Sequence, residues 1–370
     1  MRFSVTYRIA AANLAEARLR AEGIALEQTV EVPADVVPAG FIADQIVGQI
    51  VEIGAEAEGR YRATLSYSPE SAGFEVAQLL NVIFGNSSIQ RGIKVIGFAP
   101  GATLAARFPG PRFGIAGVRA ACGRPEGGLI VPVLKPQGLG ADALATLAYA
   151  FASAGADIVK DDHGLADQTS APFRERVEKI SAAVARANAE TGGSTRYFAN
   201  VAGKFDQIEG NLRFAADAGV GGLLVIPGLL GFGLVQRIAA DASLNLPVMT
   251  HPAFLGSFVQ AEDSGISHGV LFGTLQRLAG ADISVFPNVG GRFGFTEAEC
   301  LAIAKACRTP DGPGLPMFPS PGGGMSPDRA AAMRAMYGQD VAYLLGGSLL
   351  RHPDRIADTI AAMRRVLDTA

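Results

Sequence analysis

The chain contains no tryptophan, only three cysteines and four histidines among its 370 residues, and charged side chains make up just 18% of it. The cysteines, Cys122, Cys300 and Cys307, are odd in number and lack metal-ligand spacing, which excludes a disulfide framework and reads as reduced, mostly buried thiols of a cytoplasmic protein. A net charge of −3 leaves no basic footprint for nucleic acid or for an anionic membrane. No apolar run is long enough to cross a bilayer, because Gly, Pro or a charge interrupts each one. The start, Met-Arg-Phe-Ser-Val-Thr-Tyr, alternates like a strand and lacks the apolar run and cleavage site of a signal peptide. The expectation is a soluble protein whose partners are small molecules. With 49% apolar residues it can bury a large core, and its length points to two domains.

Hydrophobic periodicity divides the chain near residue 110. Before it, strands are expected at 2–9 and 28–33, a helix at 13–22, and a hairpin of Ile46–Ile53 with Tyr61–Tyr67 across Gly-Ala-Glu-Ala-Glu-Gly. A helix over Phe74–Phe84 and a strand over Ile93–Phe98 complete a small ferredoxin-like α+β domain, residues 1–110. After Phe108-Pro109-Gly110-Pro111 the pattern changes to short apolar strands alternating with amphipathic helices. The strands are Leu129–Leu134, Asp157–Asp161, Arg196–Val201, Gly222–Ile226, Pro247–Thr250, Asp282–Phe286, Pro316–Pro319 and Val341–Leu345. Helices are expected at Ala141–Ala154, Phe173–Glu190, Gln260–Leu278, Glu297–Ala306 and Asp328–Tyr337. Eight such units over residues 111–370 predict an α/β fold with a C-terminal (β/α)8 TIM barrel; an open doubly wound sheet is the alternative, for which eight units are unusually many.

The chemistry gathers at the carboxyl ends of these strands, where such barrels build their sites. Ala156 to His163 reads Ala-Asp-Ile-Val-Lys-Asp-Asp-His. Alternation along a strand puts Lys160 and Asp162 on one side and Asp161 on the other. A neutral lysine amine can add carbon dioxide, and the resulting carbamate beside Asp162 offers hard oxygens to magnesium. The plain alternative is a surface Lys-Asp cluster. Lys135 follows the first barrel strand, Asn200 ends the third and His251 the fifth; taken singly, Asn200 reads equally as a turn residue and His251 as a loop histidine. Gly322-Gly323-Gly324 follow the seventh strand and Gly346-Gly347-Ser348 the eighth, where barrels commonly bind phosphate through backbone N–H groups. A phosphorylated substrate is therefore expected.

These residues resemble the ribulose-bisphosphate carboxylase (RuBisCO) large-chain family, especially its shorter RuBisCO-like (type IV) relatives. Gly110-Pro111, Gly114-Ile115 and Gly123-Arg124-Pro125 are similar to the family's barrel entrance, and Lys135-Pro136 to its catalytic-lysine motif. Lys160-Asp161-Asp162 resembles the activating motif with its carbamylated lysine, Tyr197 to Gly203 the strand-three segment, and Gly346-Gly347 before His352-Pro353 the phosphate loop. The resemblance implies a homodimer with shared active sites and a metal held by Lys160, Asp162 and the residue at 163.

Departures from the family pattern are equally informative. The third ligand, a glutamate in the family, is His163, which would weaken or respecify magnesium or leave the imidazole as an acid-base group. A second lysine is replaced by Gln137, and the arginine after the strand-five histidine by Pro252. Arg292 falls where the mobile-loop lysine would lie, and Ser320 is displaced from the expected serine. The expected function is enolisation of a singly phosphorylated sugar or keto-acid derivative, of isomerase, enolase or decarboxylase type, without carbon fixation. A genuine carboxylase and a non-catalytic regulatory relative are the alternatives. Candidate catalytic residues are Lys135, Lys160, Asn200, His251 and Arg292.

Overall fold

The computed structural model describes residues 1–201 and 203–368. Its first sheet contains β1 (Phe3–Ala10), β2 (Gln49–Ala57), β3 (Arg60–Tyr67) and β4 (Ile93–Ala99), antiparallel in the order β4-β1-β3-β2. In β1, Phe3, Val5, Tyr7 and Ile9 are buried while the residues between them are partly exposed, so one face packs inward. Helices Leu14–Glu27 and Val76–Phe84 contribute to the same core, and Tyr7 OH donates to Ile83 O at 2.7 Å.

Two expectations for this domain are corrected. Residues 28–33 form a turn and not a strand: the Gln28 amide donates to Asn81 O and Val82 O while its Oε1 accepts from Ser87 N, and Glu31 takes a left-handed φ of 55°. That side chain ties segments together where a strand would need a ladder. The hairpin closes later than expected, at Glu58-Gly59, because Glu56 stays in β2 to accept from Arg8 Nη2 at 3.0 Å and Arg62 Nη2 at 3.3 Å.

The second part carries β5 (Leu129–Leu134), β6 (Ile158–Asp161), β7 (Arg196–Asn200), β8 (Gly222–Val225), β9 (Val248–Thr250), β10 (Gly265–Ile266), β11 (Ile283–Pro287), β12 (Phe318–Gly322) and β13 (Ala342–Leu345). All but β10 close into a parallel barrel, β11-β12-β13-β5-β6-β7-β8-β9. Every β5 side chain is buried, as a strand covered on both faces requires. Inside the barrel one cluster takes Leu129, Val131, Ile158, Phe198, Leu224, Met249, Ile283, Val285, Phe318 and Ala342, with Val118 of helix Gly114–Ala121 joining at the amino end. Gly222 leaves room for this packing, since a Cβ there would lie 2.4 Å from the Phe198 ring. Counting two residues onward from Ile158, Phe198 and Met249 puts Lys160, Asn200 and His251 on the inward face nearer the carboxyl end.

The helix expected at Gln260–Leu278 begins only at Gly269. Residues 260–266 instead reach the first domain, where β10 pairs in parallel with β4 and Lys94 Nζ donates to Ala261 O at 2.6 Å. Gly265, which opens β10 at φ 96°, lies so close to Phe258 that a Cβ would meet Phe258 O at 2.1 Å, a backbone that no helix adopts. The seventh barrel strand spans Phe318–Gly322 rather than Pro316–Pro319, because Pro316 O is taken by Ile115 N at 2.9 Å. No helix among the described residues is long and apolar enough to cross a membrane.

Outside the barrel wall, the Asp161 carboxylate accepts from Arg176 Nε at 3.1 Å, Tyr197 OH at 2.9 Å and Asn200 N at 3.0 Å. Arg176 and Asp161 are both fully buried. Replacing Arg176 with Met would strand this carboxylate in the wall, so it is expected to cost about 3–5 kcal/mol, read as a lowered urea midpoint.

Candidate functional site

Lys160, Asp162, Lys135, His163 and His251 gather at the carboxyl-end rim. Lys160 is the deepest, 1% exposed, and its Nζ donates to Asp161 O at 2.6 Å. Burial pushes this amine down to about 8, against the raising influence of Asp162 and Asp161. Lys135 Nζ lies 2.7 Å from Asp162 Oδ1, and His163 Nδ1 lies 3.1 Å from the same oxygen. Burial alone would raise the Asp162 carboxyl, but hydrogen bonds from His163 and Lys135 and the charge of Lys160 hold it well below the usual carboxylate range.

The His163 ring stacks on His251 with centroids 4.0 Å apart and planes 13° from parallel. His251 Nδ1 accepts from Ala253 N at 3.2 Å, so its Nε2 is the nitrogen left to carry a proton. Burial, followed by the nearby charge of Lys160, depresses this imidazole well below its ordinary value and keeps it neutral. Asn200 is buried and donates to His163 O at 3.2 Å and Leu165 O at 2.8 Å, holding the backbone that carries the imidazole. Among the described residues its Oδ1 has no partner, a buried acceptor left for a ligand or water.

The glycine segments lie at the neighbouring strand ends. Gly322 closes β12, and its carbonyl accepts from Asn288 N at 2.8 Å. Gly323 and Gly324 have φ of 97° and 68°, and a Cβ on Gly323, Gly346 or Gly347 would meet nothing within 4 Å. Three of these backbones thus border open space, as close approach to an anion requires. Gly347 begins a helix of only four residues. Arg292 is exposed, its guanidinium 4.8 Å from the Phe293 ring centroid, and forms no hydrogen bond or ion pair with Lys135, Asp162 or either histidine. The structure does not join it to that group. Ser320 is buried, with its hydroxyl bonded to Ala342 O at 2.7 Å. Ala202, within the Tyr197–Gly203 segment, lies outside the described residues.

Sequence reasoning missed the anchor behind Asp161 and the histidine stack. The first left a signal: Arg176 interrupts the buried stripe Phe173, Val177, Ile180 and Val184 of helix Phe173–Thr191, and a charge in an apolar stripe implies a buried counter-ion. The stack left none, its rings being 88 residues apart in the chain (251 − 163). A cavity of about 400 Å³ lies at the opposite end of the barrel, lined by Cys122, Asp157, Thr195 and Arg364 among others. It holds none of the candidate residues, and Asp157 neutralises Arg364 at 2.6 Å. The rim is the candidate site.

Magnesium and a carbamylated lysine fit this donor set in part. A buried amine lowered to about 8 has an appreciable neutral fraction to add carbon dioxide, and Asp162 follows two residues later on the same side. The third donor, His163, is nitrogen where magnesium prefers oxygen. Among the described residues no group of three or more His, Cys, Asp or Glu side chains could hold a metal, so a metal at this rim would need the carbamate to complete its donor set.

Together these features define a (β/α)8 barrel with a lysine-aspartate-histidine rim and glycine-lined strand ends. The family model described as "Ribulose bisphosphate carboxylase large chain, catalytic domain" matches residues 114–298. A 5-methylthioribulose-1-phosphate isomerase of Rhodospirillum rubrum is 40% identical over 362 residues, 98% of this chain and 95% of that protein. A 2,3-diketo-5-methylthiopentyl-1-phosphate enolase of Bacillus licheniformis is 31% identical over 87% of this chain and 80% of its own length. The crystal structure of a RuBisCO-like protein from Rhodopseudomonas palustris superposes with a TM-score of 0.86 at 37% identity, covering 99% of this chain and 97% of that one. The chain belongs to the RuBisCO large-chain family, in its RuBisCO-like branch.

If Lys160 is the carbamylated residue, ¹³C-labelled bicarbonate should give a protein-bound carbonyl resonance that grows between pH 7 and 9. The folded amine is lowered to about 8, so its neutral, reactive form becomes the majority only above that pH. Lys160→Arg should abolish the resonance; an unchanged signal in that variant would move the carbamate elsewhere.

Proposed function

We propose that the protein is an isomerase of a five-carbon ketose 1-phosphate, with 5-methylthioribulose 1-phosphate as the substrate suggested by the relative that is 40% identical along 98% of this chain. The observation that carries the reading is the continuous contact of Lys135, Asp162, His163 and His251 around the buried Lys160. Isomerisation takes a proton from the hydroxyl-bearing carbon, forms an enediol, and returns a proton to the former carbonyl carbon. Lys135, the partly exposed member at the mouth, moves the carbon-bound proton while Asp162 orients its amine. His251, neutral and with its Nδ1 occupied, offers an Nε2–H to the developing oxyanion. Lys160 as its carbamate, with Asp162 and His163, would hold a divalent ion, magnesium in the family pattern; when bound it polarises the substrate's carbonyl and hydroxyl oxygens.

The backbones of Gly322, Gly323, Gly324, Gly346 and Gly347 take the single phosphate. Pro252 and Gln137 supply no charge for a second one, which weighs against carbon fixation on ribulose bisphosphate. Arg292 is assigned to the substrate's outer side through its loop. Phe205, Leu229, Phe254 and Phe293, exposed by 94%, 58%, 71% and 50%, follow different barrel strands, and these apolar side chains at the mouth support a homodimer in which the partner covers them. Three buried free cysteines favour the cytoplasm.

The test is conversion of 5-methylthioribulose 1-phosphate followed by ³¹P NMR in deuterated solvent. The expected result is isomer formation with deuterium at carbon, lost by at least about a hundredfold in Lys135→Ala, the contribution typical of a positioned acid-base group. Ribulose bisphosphate should yield no three-carbon acid. Exchange that persists in Lys135→Ala would assign the proton transfer to another group.

A further inference from the structure

The loop after β11 and the glycine loop after β12 are joined by a side chain that the proposed mechanism does not use. Arg329, in the first turn of helix Pro327–Tyr337, donates from Nη2 to Val289 O at 2.8 Å and from Nη1 to Gly324 O at 3.0 Å. Two left-handed glycines make room for it. A Cβ on Gly290 (φ 68°) would stand 3.1 Å from Nη2, and one on Gly324 (φ 68°) only 2.6 Å from Nη1. The loops also touch directly, since a Cβ on Gly291 would lie 3.5 Å from Gly323 O.

The foot of the first loop is fixed from the same side. Asn288 N donates to Gly322 O at 2.8 Å, and Asn288 Oδ1 accepts from Tyr337 OH at 2.7 Å at the far end of the helix that begins beside Arg329. Val289, held by Arg329, is three residues before Arg292. Among the described residues no carboxylate forms an ion pair with Arg329. A planar fork satisfying two carbonyls thereby brings an uncompensated positive charge to the edge of the glycine loop.

We propose that Arg329 is the positioning residue of the anion site: it sets Gly323 and Gly324 for a phosphate monoester, lends that site its charge, and couples anion occupancy to the loop bearing Arg292. The inference rests on the glycine loops being the anion site. Lysine could supply the charge but not the fixed two-carbonyl fork.

Because the chain has no tryptophan, Phe293→Trp gives a single fluorescent reporter next to Arg292. The full-length reporter protein is titrated with inorganic phosphate, by calorimetry and by emission, alone and combined with Arg329→Gln or Arg329→Lys, with circular dichroism checking the fold. Phosphate should bind the reporter and shift its emission. Arg329→Gln should weaken binding roughly tenfold and abolish the shift even at saturation. Arg329→Lys should recover most of the affinity while the shift stays lost, a separation that simple misfolding would not produce; should Arg329→Gln fail to fold, the lysine variant alone decides. Unchanged affinity and an unchanged shift in the arginine variants overturn the proposal. Gly347→Leu, whose side chain enters open space on a helical backbone, is the control for the site itself. If the reporter takes up no phosphate, or Gly347→Leu binds it equally well, the anion loops are misassigned and the inference falls with them.

Discussion

The rim depends on where the charge of Asp161 goes. A four-residue strand in a parallel barrel has two faces and nothing else to choose between, and a carboxylate buried without partners would cost several kcal/mol. Arg176, Tyr197 and the Asn200 backbone satisfy it on the outer face. Lys160 and Asp162 are thereby committed to the inner one. The same arrangement spends the Asp161 charge on Arg176, leaving the Lys160 amine with a carbonyl as its hydrogen-bond partner, so burial governs that amine. Strand register and the burial-lowered Lys160 amine go together.

A second constraint is the sharing of Asp162 Oδ1. One oxygen serves both Lys135 Nζ and the His163 ring, which places an amine and an imidazole within reach of one bound molecule. His163 is then clamped between this carboxylate and the face of His251, while Asn200 holds the backbone behind it. An imidazole fixed on three sides loses little freedom when a ligand arrives, as preorganisation demands.

How much of this was legible in the sequence depends on the range of the interactions concerned. The alternation of β1, the continuous apolar run of β5 and the placing of Lys160 and Asp162 on one side of their strand follow from short-range pattern and needed no partner. Segment 28–33 failed because Gln28 bonds to Asn81 and Val82, more than 50 residues away. The helix at 260–278 failed because residues 260–266 find β4, some 170 residues earlier, and local propensity cannot announce such a pairing. Arg176 was visible as an oddity in an apolar stripe, but not its counter-ion. Arg329 looked like an ordinary first-turn residue; only the positive φ of Gly290 and Gly324, on two separate loops, shows what passes between them.

The exchange of glutamate for His163 also acquires a physical sense. On the proposed ligand set, a carbamate and Asp162 carry two negative charges, which balance a divalent ion, whereas a third carboxylate would overcompensate it. An imidazole at that position would therefore bind the ion less tightly but leave more of its field for the substrate's oxygens. An enediol bearing one phosphate gains from that field directly, and it makes no call on the cations that a bisphosphate would need at positions 137 and 252. On the proposed reading, the losses at Gln137 and Pro252 and the change at His163 would act in one direction: they would shift positive charge from holding a second phosphate to stabilising an enediolate, with the glycine loops beside Arg329 left for a single phosphate.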